Sequence, residues 1–143
     1  MNRILAAGAL CLALVGAGCA RPGTIDQVEI VNGESTKFSP AEIEAAEEAV
    51  MAEFRDLEGC VLLELGYDEE FSDSMTASYT GSGGEGRSSD LAGTNAILLR
   101  SVFHVSKYGH GVGLNPDTDY TDWPWILTRD DQSAPWEVVP WGR

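Results

Sequence analysis

The stretch FSPAEIEAAEEAVMAEFRDLEG, residues 38–59, constrains the fold of this chain more than any other, because it specifies a helix at both ends and along one side. Ser39 is an N-cap, Pro40 takes the first helical position, where no backbone hydrogen bond is lost, and Glu42 completes a capping box. Phe38 before the cap and Ile43 at the fourth helical position form a hydrophobic staple. Ile43, Ala46, Val50, Phe54 and Leu57 recur at spacings of three and four, giving one apolar stripe, and Gly59 is a natural stop. Glu44, Glu47, Glu48 and Glu53 cover the other side, which reads as a solvated helix face and not as a carboxylate site.

After Cys60 the hydrophobic period changes to two. In CVLLELGYD, Val61, Leu63, Leu65 and Tyr67 fall on one face, with Leu62, Glu64 and Asp68 on the other. In NAILLRSVFHV, Ile97, Leu99, Phe103 and Val105 share a face, opposite Ala96, Leu98, Arg100, Val102 and His104. WILTRDDQSAPWEVVPW reads as a hairpin around the polar loop Asp130 to Ala134. Upstream, IDQVEIV is a short strand closed by the Asn32-Gly33 turn signal. The segment after residue 68 begins with a short helix and passes into a flexible Gly-rich loop at about 80–94. One apolar helix stripe needs one apolar sheet face. The expected fold is therefore α+β: an N-terminal helix packed on a curved antiparallel sheet of about four strands.

The first 18 residues stand apart from that domain. MNRILAAGALCLALVGAG has one basic residue, Arg3, and an apolar run from Ile4 to Ala17, too short to span a bilayer and laid out as a secretory signal. With Cys19 directly after it, and Gly16 where Leu is usual, this segment resembles the lipobox of bacterial lipoproteins. That resemblance implies acylation of Cys19 and a palmitate-type membrane anchor, followed by a tether over 19–24 and one ectodomain over 25–143. An ordinary signal cut nearby is the alternative, and would leave Cys19 a reactive thiol. Once Arg3 leaves with the leader, 8 of the 9 basic residues face 23 acidic ones, a surface that repels nucleic acid and anionic lipid headgroups alike. Cys60 then has no partner for a disulfide.

All four tryptophans lie in the last 30 residues. Trp125 and Trp136, on facing strands, are expected to pack. Trp123 and Trp141, near strand ends, are the candidate ligand contacts. LNPDTDYTDWPWIL followed by WEVVPWG resembles the C-terminal half of small lipoproteins of Gram-positive bacteria with an NTF2-like or cystatin-like ectodomain. That resemblance implies a fold and a cell-surface address, and carries no catalytic residue with it.

Three sets of residues bear on chemistry. Asp117, Asp119 and Asp122 are a weak candidate cation site, but they miss the spacing of a calcium loop and sit among turn residues. His104 with Arg100 and a carboxylate such as Glu64 is a weak candidate for general-base work; the bland reading is a charge-balanced outer sheet face. His104 and His110 lack further zinc ligands nearby, and no cofactor is indicated. The sequence thus points to a membrane-anchored, non-enzymatic ectodomain that binds a protein, a peptide or an envelope component. The rivals are a small-molecule or carbohydrate binder using tryptophan, and an NTF2-like hydrolase or isomerase.

Overall fold

The computed structural model describes residues 21–81, 93–109 and 113–140. The leader, Cys19, most of the Gly-rich loop, His110 and Trp141 lie outside the described residues. The elements run β1 (Glu29–Ile30), α1 (Pro40–Phe54), β2 (Cys60–Gly66), α2 (Glu69–Gly81), a 3-10 turn (Gly93–Asn95), β3 (Ala96–Val105), β4 (Thr118–Thr128) and β5 (Glu137–Val138). The fold is α+β, as the period switch requires. Its sheet has the order β1-β2-β3-β4-β5, with β1 parallel to β2 and the other pairs antiparallel.

The expected architecture is corrected in two respects: the sheet is mixed and five-stranded, and the short helix expected after residue 68 is a full second helix beside α1. The second helix, α2, spans 13 residues. Its start is set by Asp68, whose carboxylate accepts the Phe71 N–H at 2.7 Å, and by Glu69 and Glu70 in the first turn, where carboxylates favour the positive helix end. Thr36 donates both its N–H and its hydroxyl to Glu69, and Lys37 pairs with Asp73, so α2 is tied to the segment leading into α1. It packs along β3, whose first residues run past the end of β2.

Helix α1 carries the predicted capping box in full: the Ser39 N–H donates to Glu42 at 2.8 Å and the Glu42 N–H to the Ser39 hydroxyl at 3.3 Å. Its stripe Ile43, Ala46, Val50 and Phe54 enters one core with Phe38, Leu62, Leu65, Tyr67, Ile97, Leu99, Phe103, Val105, Trp125, Leu127 and Trp136. Phe54 meets Phe103 and Trp125 edge-on, and Phe38 meets Tyr67 and Trp136 likewise. Burial pushes the Tyr67 phenol up to about 12.

The face assignment for β2 fails at its first half. Cys60 and Leu62 face the core, then Leu65 and Tyr67 do, because Leu63 is an extra residue between the pairs Leu62–Phe103 and Glu64–Val102. A bulge of this kind shifts the alternation by one. Glu47 is also corrected: it is buried at the edge of the stripe, where the Asn32 amide donates to it at 2.7 Å, while the Asn32 carbonyl oxygen accepts from Tyr67. Glu44, Glu48 and Glu53 are exposed as expected.

The segment read as a turn, Asp117 to Asp122, is mostly strand. β4 begins at Thr118 and pairs with β3 along its length, with Thr121 and Asp122 bulging opposite Val102. Asp122 adopts φ of 52° there, and Asp117 φ of 53° just before the strand. Asp tolerates this left-handed region better than most residues, so turn chemistry serves a bulge.

Candidate functional site

A groove of about 550 Å3 lies between the N-terminal half of α1 and the β4–β5 hairpin. One wall is the row Ala41, Ala45 and Ala49 with Glu48 at its rim; the other is Gln132, Ala134, Pro135 and Trp136. Small side chains at four-residue spacing leave a channel along the helix that longer ones would fill.

The groove is held open by a polar cluster at its end. The Arg129 side chain is only 3 % exposed. It donates to Glu42 at 2.7 Å and to the Thr94 carbonyl at 2.7 and 3.2 Å, and its guanidinium lies 4.2 Å from the centre of the Trp136 ring. The Trp136 indole N–H in turn donates to the Glu42 backbone carbonyl at 3.0 Å. Hydrogen bonds from the Ser39 backbone, from Arg129 and from the Ser39 hydroxyl hold the Glu42 carboxyl at about 2, well below the usual range. The hairpin loop is braced by Asp131, which accepts from the Ser133 N–H, the Ser133 hydroxyl and the Ala134 N–H. This site is an open groove, mostly apolar along its walls and flanked by Glu42 and Glu48.

The other candidates fall on the opposite side of the sheet or in its core. Trp125 is buried, and its indole N–H donates to the buried Ser101 hydroxyl at 2.8 Å. Trp123 is half-buried, meeting Phe103 and Tyr120 edge-on at 5.5 and 5.4 Å, while those two rings stack at 5.1 Å. Trp123 therefore sits in an aromatic cluster with Phe103 and Tyr120.

On the outer face, His104 Nδ1 lies 2.7 Å from Asp119, its neighbour across β3 and β4, and Arg100 is 3.3 Å from Asp122. The carboxylate beside His104 is thus Asp119 and not Glu64, which the bulge places opposite Val102. Asp119 is hydrogen-bonded to His104 and Asp122 is ion-paired with Arg100, and among the described residues no three His, Cys, Asp or Glu side chains converge as a metal site would require. The cross-strand neighbours of His104 are Val61 and Asp119, so it stands on a strand face at about one-third exposure. A carboxylate on Nδ1 favours the tautomer with the proton there, which leaves Nε2 as the acceptor nitrogen.

The groove was not legible as a site, because Arg129 lies just before the polar hairpin loop and nothing local pairs it with Glu42. A buried arginine needs a carboxylate partner, and the capping-box glutamate is 87 residues away. No family model, curated protein or solved structure matches the chain. Among the described residues no helix is long and apolar enough to cross a membrane.

Proposed function

We propose that this chain is a membrane-anchored bacterial lipoprotein, acylated at Cys19, whose ectodomain binds an extended, positively charged segment of a protein or peptide in the groove between α1 and the β4–β5 hairpin. The groove itself carries this reading. Its alanine and Pro135–Trp136 walls suit apolar side chains, while Glu48 at the rim and a net charge of −14 favour a cationic partner. The helix laid on a meandering sheet supports an ectodomain of the cystatin-like or NTF2-like kind, with α2 inserted between β2 and β3 as a departure from it.

The test is a titration of the isotope-labelled protein with short Lys- and Leu-containing peptides, read by NMR shift mapping. Shifts should concentrate at Ala41, Ala45, Ala49 and the Trp136 indole, and vanish in Ala45→Trp, which fills the channel from an exposed helix position. Shifts confined to the outer sheet face, or unchanged by Ala45→Trp, would end the groove reading. Acid–base chemistry at His104 is a second reading, favoured by the 2.7 Å contact with Asp119. It requires a hydrolytic activity that disappears in His104→Ala and falls in Asp119→Asn.

A further inference from the structure

The chain enters the fold abruptly. The Gly59 N–H donates to the Arg21 carbonyl and the Gly23 N–H to the Arg55 carbonyl, each at 2.9 Å, and Thr24 exchanges hydrogen bonds with Cys60 and Leu62. A Cβ at Gly23 would stand 2.0 Å from the Phe54 carbonyl oxygen, so the backbone there is locked against the end of α1. Residues 21–24 are thus part of the fold, where the sequence suggests a tether over 19–24.

The surface around that entry point has its own character. The turn Ser106 to Gly109 closes on it through Ser106 N–H to the Gly59 carbonyl, and Gly109 packs against Gly59, whose φ of 73° allows a close backbone approach. At the tip of this turn Tyr108 is 76 % exposed, with the Lys107 ammonium 4.9 Å from its ring centre. Lys37, Arg100 and Arg129 are each engaged by a carboxylate elsewhere. The other cations among the described residues, Arg21, Arg55 and Lys107, all lie at this pole. Glu53, Asp56, Glu58 and the exposed Asp117, which the Val105–Thr118 pairing sets beside this turn, outnumber them by one, while the rest of the described surface is far more acidic.

Resting on the acylation of Cys19 proposed above, we infer that this pole lies directly on the phospholipid headgroups, with Tyr108 and Lys107 seated in the interfacial layer. Two residues of extended chain reach about 7 Å. The headgroup layer on one side of a bilayer is itself roughly 5–8 Å thick. Arg21 therefore cannot leave that layer, and the Gly59–Gly109 contact brings the Tyr108 turn along with it. An exposed aromatic ring beside a lysine suits the membrane–water boundary. Repulsion of the acidic remainder from lipid phosphates turns the same pole downward. The groove lies along the N-terminal half of α1, at the far end from this pole, and so faces outward.

The test uses the full chain reconstituted in vesicles of phosphatidylglycerol and phosphatidylcholine that carry a headgroup-attached nitroxide. In a Cys60→Ala background a fluorophore is placed at Glu58→Cys, on the pole, or at Glu34→Cys, near the start of α1. Both proteins should float with the vesicles, with quenching several-fold stronger at position 58. Arg55→Glu with Lys107→Glu should reduce that quenching while flotation persists. Flotation with equal quenching at the two positions overturns the inference and leaves the anchor intact. Failure to float, with an unmodified Cys19 by mass spectrometry, overturns the anchor and the inference with it.

Discussion

Replacing Glu42 by Gln tests the cluster that joins α1 to the hairpin. The carboxylate accepts from the Ser39 backbone, the Ser39 hydroxyl and Arg129, and Gln keeps its length while removing the charge. What remains is a guanidinium 3 % exposed and bonded only to neutral carbonyls. A hydrogen bond to a charged group contributes about 1.5–3 kcal/mol. The proton linkage gives an independent figure. A carboxyl lowered from 4.5 to about 2 corresponds to roughly 3 kcal/mol at most, and partial solvent access to the carboxylate reduces this to about 1–2 kcal/mol. Glu42→Gln should thus cost about 2 kcal/mol at pH 7 in urea unfolding. The sign follows from the depressed value: the stabilisation is full above 4.5 and is lost as pH falls toward 2. The deficit of the variant should therefore shrink between pH 5 and pH 2. In a double-mutant cycle with Arg129→Met, the second substitution should cost less in the Gln background, because the unpaired cation is gone. Equal stability of Glu42→Gln and the parent at pH 7, or a deficit that is constant with pH, would refute the reasoning.

Two further outcomes follow from the core. Trp125→Phe deprives the buried Ser101 hydroxyl of its indole donor and leaves a small void, so thermal unfolding should show a loss of about 1–3 kcal/mol. Glu47 behaves oppositely to Glu42: desolvation raises its carboxyl, so the folded state gains from protonation at low pH and loses that gain as pH rises through its folded value. Glu47→Gln should flatten the stability profile between pH 4 and pH 7 and leave the protein at least as stable at pH 7; a lower stability there would contradict this.

The sequence by itself determined α1 and the core face of β3. Capping and a 3.6-residue period are local signals, and they set which side of the helix is apolar before any partner is present. It also determined the hairpin and the burial of Trp125 and Trp136, because alternation in a strand is equally local. It could not determine the face of β2 before the bulge, at Cys60 and Leu62: an inserted residue is defined only against the partner strand. Nor could it place Glu47, Asp119 or Arg129. Whether a charged side chain is solvated, paired or buried depends on which distant residue arrives beside it, and Glu42 and Arg129 meet only after the hairpin closes on the helix. The groove belongs to the same class: its walls come from two segments more than 80 residues apart, and only tertiary packing leaves a space between them.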